Sequence, residues 1–521
     1  MQIFSFSPFG YEGSLVTVEV DLRRGIPAID LIGLADGAVK ESRERMKSAI
    51  RNSGFEFPME RVLISLSPAD LKKEGAGFDL ALALAVLEAD MRKGDGTFDM
   101  NPEPILVMGE LELSGALRPV KGVHAAAATA ASAGIRKCIV SSANAAEARE
   151  VVGMKVFGAT NLGEAFESLS NPDFFTGGVD DSDSFVPENC VKVSGVLFPA
   201  EDSSMEFSDV KNQSRLVRAL QIAAAGGHNL LAFGSPGCGK TLALQRFPAL
   251  IPLLTVEEAQ SVTRIHSLAG LLSPSQPLLR VPPFRVPHQT ASIEGICGGG
   301  PSCRPGEISL AHNGVLFLDE AAEFRSSVLQ MLRVPLESGC ITLSRAGRST
   351  TYPAKFQLLM ATNPCPCGNY GSPSKICLCS AKSVEQYWRK FSAPLLDRID
   401  IRVSVSSSPG DCAGNDASLS TSELRVAVAE AVKIQRTRGK RNACMTPQDI
   451  LEFCEIDSDA KKVLDDAVSE CDFSQRAVSG IMKLSRTIAD MDSSDKILRC
   501  HVEEAVSFRS NVGALELFSG E

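Results

Sequence analysis

Apolar residues recur at every second position in LVTVEVDL (Leu15–Leu22) and RVLISLS (Arg61–Ser67), the period of strands that bury one face. DLALALAVLEA (Asp79–Ala89) and GVHAAAATAASAG (Gly122–Gly134) are Ala- and Leu-rich and free of Pro, so they are read as helices. This alternation of short strands and helices predicts a first α/β domain over residues 1–168. SNPDFFTGGVDDSDSF and the residues after it are rich in Asp, Ser, Gly and Pro, the composition of a linker, placed at 169–205. A second α/β region follows over 206–405, with continuous apolar runs at Leu230–Phe233, Val315–Leu318 and Phe356–Met360 that read as buried strands. SSSPGDCAGNDAS (Ser406–Ser418) breaks the pattern again, and the last segment, 406–521, is helical in its periodicity. No internal repeat is present.

Length agrees with this division, since 521 residues exceed one hydrophobic core and suggest about three domains. No run of 18 uncharged apolar residues occurs, so no membrane span is expected. MQIFSFSPFG has neither a basic nor an apolar signal region, which points to a cytoplasmic protein. The odd total of 15 cysteines fits reduced thiols better than a disulfide framework. A net charge of −10 excludes a surface that coats nucleic acid as a whole. Any contact with DNA must come from a local basic element.

The chemistry is densest in the second region. NLLAFGSPGCGKTLAL carries G-x-x-x-x-G-K-[ST] as Gly234, Ser235, Pro236, Gly237, Cys238, Gly239, Lys240 and Thr241. A strand runs into a Gly-rich turn and a helix begins at Lys240, so backbone N–H groups can close around phosphates. Lys240 would reach the β- and γ-phosphates of ATP, and Thr241 would offer its hydroxyl to Mg²⁺. NGVLFLDE delivers Asp319 to the metal and Glu320 to the attacking water. FQLLMATNP ends a further strand at Asn363, a polar group able to hold that water or sense the γ-phosphate. Arg398 follows a short apolar helix in PLLDRID, and Arg476 opens a helix in SQRAVSGIMKLSRTIADM; on pattern alone either is equally a surface charge.

IDLIGLADGAVKESRERMKSAI, PADLKKEGAGFDLALAL, IAAAGGHNLLAFGSPGCGKT, RPGEISLAHNGVLFLDEAAEF, ATNPCPCG and PLLDRID together resemble the ComM/YifB family of magnesium chelatase-like AAA+ proteins, over nearly the whole chain. The resemblance implies a multidomain α/β protein: a Lon-protease-like (ribosomal S5 domain 2-like) N-terminal domain, an AAA+ P-loop ATPase core and a C-terminal helical lid. It further implies a homo-hexameric ATP-driven DNA helicase that promotes branch migration in natural transformation. By motif, Asn363 resembles the sensor-1 residue, Arg476 sensor 2, and Arg398 the arginine finger that completes a neighbouring subunit's site. In the Lon-like segment GELELSGALRPVKGVHAAAA, the position of the catalytic Lys falls on His124 and that of the nucleophile on Gly77, so peptidase activity is not expected. ITLSRAGRSTTYPAKFQLLMATNP (Ile341–Pro364) is similar to the pre-sensor-1 hairpin of MCM helicases, which places Arg345, with Arg348 close by, at the DNA-facing position.

CPCGNYGSPSKICLC packs Cys365, Cys367, Cys377 and Cys379 into fifteen residues, where average usage would give fewer than one. Four thiolates there fit a tetrahedral Zn²⁺, an iron–sulfur cluster, or a reduced loop without metal, and the C-x-C spacing is tighter than most zinc sites use. Two rival functions share the same motor: a magnesium-chelatase-type motor subunit, and an ATPase that remodels proteins. The Arg345 hairpin and the Lon-like domain favour DNA.

Overall fold

The computed structural model describes residues 1–34, 36–69, 71, 73, 75–93, 103–177, 189–300, 303–345, 348–370, 375–405, 419–471 and 473–510. The joint read at Ser406–Ser418, the middle of the expected linker and the turn of the Arg345 hairpin lie outside the described residues.

The two alternating runs form adjacent strands, Ser14–Arg23 and Arg61–Ser67, paired antiparallel from Thr17 opposite Ser67 to Arg23 opposite Arg61. They belong to an eight-stranded sheet. Its order is Thr176–Gly177, Lys155–Ala159, Lys137–Ser141, Ile105–Met108, Ile3–Ser7, Ser14–Arg23, Arg61–Ser67, Ala28–Ile32. Helix Asp79–Met91 is buried continuously from Asp79 to Glu88. It is apolar all round, so it can only lie inside a core. Its first carboxylate, Asp79, is paired there with Arg45, whose Nε lies 2.8 Å away, and accepts a hydrogen bond from the Leu111 amide at 3.2 Å.

The stretch expected as a linker carries structure at both ends. Thr176–Gly177 pairs with Lys155–Val156 at the edge of the first sheet. Cys190–Val193 and Val196–Pro199 form a hairpin whose Val196 and Phe198 are buried with Phe207 and Leu216 of the second domain. The Asp, Ser and Gly of the middle set the linker composition, whereas a few apolar residues on each flank suffice to join the neighbouring cores.

The second domain is built on a five-stranded, wholly parallel sheet. Its order is Phe284–Arg285, Val315–Leu318, Gln357–Thr362, Leu230–Gly234, Ile401–Val405. Helices cover both faces, and the three central strands are buried along their length and apolar but for Gln357 and Thr362. The C-terminal helices Thr421–Arg438, Gln475–Met491 and Arg499–Ser510 bury Leu424, Val428, Ile481, Leu484 and Val502 in the same cluster as Leu220 and Ile401. The helical segment is therefore packed onto this core. Among the described residues no helix is long and apolar enough to cross a membrane, and the described cysteines form no disulfide.

The first domain docks on helix Val256–Ala269 of the second. Arg264 donates from Nε to the Tyr11 carbonyl at 3.0 Å and lies over the Tyr11 ring, 4.7 Å from its centroid. Tyr11 also meets Tyr352 edge to face at 6.3 Å. His124 Nε2 sits 2.7 Å from Gln260 Oε1; because the Gln260 amide donates to the Glu150 carbonyl, its oxygen takes the imidazole N–H. Burial pushes the His124 pKa down to about 4, so the ring is neutral in this seam.

Candidate functional site

In a parallel sheet the crevice beyond the carboxyl ends of the strands is where ligands bind, and the strand order brings the singled-out residues there. Leu230–Gly234 lies between Gln357–Thr362 and Ile401–Val405. Gly234 leaves the sheet where a Cβ would stand 2.0 Å from the Val405 carbonyl oxygen, so any side chain would break the pairing. The loop then turns through Gly239, left-handed at φ 86°, into helix Lys240–Gln245. Lys240 is 8% exposed, and its ammonium donates to the carbonyls of Gly234 at 2.6 Å and Ser235 at 2.9 Å. It also reaches Asn363 Oδ1 at 3.5 Å.

Val315–Leu318 pairs with Gln357–Thr362, Leu318 opposite Met360, so Asp319 emerges at the same carboxyl edge as Asn363, level with Ala361. Thr241 Oγ1 donates to Asp319 Oδ1 at 3.1 Å. A hydroxyl and a carboxylate at that separation are hard oxygen donors suited to Mg²⁺. Glu320 is exposed and held at φ 49°, a left-handed conformation that is strained for a side chain of this size. Among the described residues its carboxylate has no hydrogen bond or ion pair, so it is available to a water molecule. Lys240, Thr241, Asp319, Glu320 and Asn363 thus converge, and the set can hold a triphosphate, its Mg²⁺ and a polarised water.

Two aromatic residues that no motif flags fix the Asn363 end of its strand. Tyr387 meets Thr362 Oγ1 at 2.9 Å through its hydroxyl, and Trp388 Nε1 donates to the Pro364 carbonyl at 3.0 Å. Gln213, also unflagged, donates to the Cys238 carbonyl in the loop at 3.1 Å.

Arg398 and Arg476 are brought together elsewhere. Both pair with Glu337 on helix Arg333–Ser338, Arg476 from 2.7 Å, and Arg398 also donates to the Pro394 carbonyl at 2.5 Å. Arg398 first and Arg476 second hold the Glu337 carboxyl below the usual carboxylate range. Among the described residues no hydrogen bond or ion pair joins this trio to Lys240, Asp319 or Asn363. The sequence offers no signal for Glu337, because a lone acid on a surface helix belongs to no motif.

Cys340–Arg345 and Arg348–Pro353 pair antiparallel along their length, ending with Arg345 opposite Arg348. Only Ala354–Phe356 separates this hairpin from the strand that ends beside Asn363.

The four cysteines converge. Cys365 Sγ lies 3.4 Å from Cys367 Sγ and 3.7 Å from Cys377 Sγ, and Cys367 and Cys377 are 3.6 Å apart. With Cys379, all four sulfurs fall within 4.8 Å of one another. The Asn369 amide, with the Cys365 thiol, draws the Cys367 thiol down to about 6. Against the Cys379 amide, which pulls it down, burial and the Cys367 and Cys365 sulfurs push Cys377 up to about 12. Four sulfur donors this close together form a set that a thiophilic cation can take over.

Comparison with known proteins places this geometry. Residues 206–412 match the family described as magnesium chelatase, subunit ChlI. Residues 18–144 match subunit ChlI of Mg-chelatase, and residues 418–509 its C-terminal part. The chain is similar to an uncharacterized protein of Mycobacterium tuberculosis, 38% identical over 97% of this chain and 98% of that one. It is 38% identical to the uncharacterized protein YifB of Escherichia coli, over 96% of this chain and 95% of that one. Competence protein ComM of Haemophilus influenzae is 37% identical over 99% of each.

Proposed function

The chain belongs to the magnesium chelatase subunit ChlI-like family of AAA+ ATPases that includes YifB and ComM, and from that premise we propose that it is an ATP-driven DNA translocase. In this reading it works as a cytoplasmic homo-hexamer and promotes branch migration of recombining DNA during natural transformation. The ComM relative, named a competence protein, supports the cellular role.

Lys240 binds the β- and γ-phosphates of ATP, and Thr241 with Asp319 holds Mg²⁺, which offsets phosphate charge. Glu320 polarises the lytic water and Asn363 senses the γ-phosphate. Arg398 serves as the finger for the neighbouring copy, and Arg476 as sensor 2. Zn²⁺ occupies the four-cysteine loop. The N-terminal domain keeps a Lon-like fold without its dyad and acts as a docking unit, a role supported by the engagement of His124 with Gln260.

The observation that carries the DNA reading is the continuity of the hairpin with the Asn363 strand. A displacement at Asn363 on hydrolysis is transmitted along the strand Gln357–Thr362 and the three residues before it to the strand that bears Arg348, and across the pair to Arg345. Arginine contacts of this kind go to phosphates, so they are independent of sequence and weaken with salt. Arg345→Ala should leave basal ATPase and assembly near normal while DNA-stimulated ATPase and branch migration fall together, with a shallower salt dependence of binding. Normal branch migration by that variant would remove the hairpin assignment.

The family descriptions favour one second reading, a chelatase-type motor. ATPase assays with single-stranded, forked and four-way DNA, with porphyrin and with unfolded polypeptide separate the three readings. Stimulation by porphyrin or polypeptide and not by DNA would replace the translocase.

A further inference from the structure

Beyond the bare presence of zinc, we propose that the four-cysteine loop is a metal clasp on the nucleotide site: Zn²⁺ on Cys365, Cys367, Cys377 and Cys379 holds Gly368 against Pro236 and keeps Asn363 in place. The inference rests on Gly234–Thr241 as the ATP loop, and is independent of DNA as the substrate.

The sulfur positions fit one ion. A tetrahedral Zn²⁺ with bonds of about 2.3 Å sets its sulfurs about 3.8 Å apart, close to the 3.4, 3.7 and 3.6 Å separations found. A disulfide would bring two sulfurs to about 2.05 Å, far below any of these. A cubane iron–sulfur cluster binds each cysteine to a different iron, which spreads the four sulfurs instead of converging them. An all-thiolate donor set suits Zn²⁺ and not Mg²⁺ or Ca²⁺.

Among the described residues, apolar packing accounts for only part of the loop's order. No helix or strand lies among the described residues between Thr362 and Ala381. The large apolar side chains flanking Cys377 point outward, with Ile376 84% and Leu378 89% exposed. Cys365 is buried in the cluster of Phe324, Met360 and Trp388, and Tyr370, Cys377 and Cys379 are only partly buried against it. A segment this short of buried apolar surface needs another source of order, and a metal bound by both of its ends supplies one.

The clasp touches the site directly. Gly368 donates to the Cys365 carbonyl at 3.0 Å and turns at φ 76°. A Cβ on it would stand 2.7 Å from Pro236 Cδ and 3.9 Å from Asn363 Cγ. The residue just after the second ligand thus lies on the Gly-rich loop, and Asn363 is two residues before the first ligand. With the metal removed, Cys367 and Gly368 are no longer tied to Cys377 and Cys379, and the Pro236 loop loses the surface it rests on.

The test is elemental analysis of the full-length protein purified without added metal, together with ATPase rate. About one Zn²⁺ per chain is expected, replaceable by Co²⁺ with a thiolate charge-transfer band. Cys367→Ser and Cys379→Ser should lose the metal and at least tenfold in hydrolysis, whereas Cys500→Ser should lose neither. Should the serine variants not fold, a mercurial with a chromophoric chelator can strip folded wild-type protein, and added Zn²⁺ should restore the rate. Wild-type protein without metal, or with iron in its place, would overturn the site. Metal-free protein that hydrolyses ATP at the full rate would overturn the clasp. Metal-loaded wild-type protein that hydrolyses no ATP would refute the ATPase reading instead and leave the metal content standing.

Discussion

Arg398→Ala should separate stability from turnover. The side chain is 11% exposed but its partner carboxylate on Glu337 is 57% exposed, so the ion pair is screened and worth under about 1 kcal/mol. The hydrogen bond to the Pro394 carbonyl adds about 1.5–3 kcal/mol. That is offset by the buried Nε–H, which has no partner and costs about 1–3 kcal/mol in the folded state. Glu337 stays neutralised by Arg476. The net loss of stability is therefore about 1 kcal/mol and at most about 3 kcal/mol, too little to unfold a large domain. If Arg398 completes the neighbouring copy's site, the loss in rate should be about 10³–10⁵, equivalent to about 4–7 kcal/mol of barrier. The variant should melt within a few degrees of wild type and bind ATP as tightly, yet hardly turn it over. Mixing it with Lys240→Ala subunits should restore part of the activity, because some interfaces then pair an intact loop with an intact arginine. A fall in rate of tenfold or less, or no recovery in rings shown to be mixed, would refute action across the interface.

Lys240→Ala should lose ATP affinity, because the ammonium is the one cation within reach of the loop carbonyls and Asn363 among the described residues; Glu320→Gln should bind ATP normally and stop hydrolysing it. Binding and single-turnover measurements separate the two, and wild-type turnover by Glu320→Gln would remove Glu320 as the polarising group. Stability should also depend on pH through His124, whose folded pKa is pushed to about 4 by burial while the unfolded chain takes up a proton near 6.5. Protons then bind the unfolded state more tightly between those values, so stability is full above pH 6.5 and falls as pH drops toward 4. The loss from this residue between pH 7 and pH 5 is about 2 kcal/mol. His312, likewise pushed down to about 4 by burial, adds in the same direction. Urea midpoints at the two pH values, compared with those of His124→Gln, should show a shallower dependence in the variant; an unchanged slope would mean that His124 is not buried in its neutral form.

Residues 234–241, 315–320 and 356–363 were legible because phosphate chemistry restricts local sequence. A Gly-rich turn, a lysine at the helix start and acids at the end of an apolar strand are dictated by neighbours only a few residues away. Strand and helix types in the first domain were legible for the same reason, since period two and all-round apolarity are local signals. The long-range pairings were not. That Glu337 gathers Arg398 and Arg476, that Tyr387 and Trp388 pin the strand leading to Asn363, and that Gly368 lies on Pro236 all depend on which strands become neighbours. The strands at the two ends of the expected linker were not legible for a related cause: Thr176–Gly177 and Val196–Pro199 are ordered by cores assembled from distant segments. Likewise, the four-cysteine spacing left zinc, iron–sulfur and an empty loop open, because spacing along a chain does not set the distance between sulfurs. The sequence by itself determined the Gly-rich turn and the polar residues that end the neighbouring strands, through local backbone and charge. Only the tertiary structure decided what surrounds them, because the order of the parallel strands sets which side chains share the crevice.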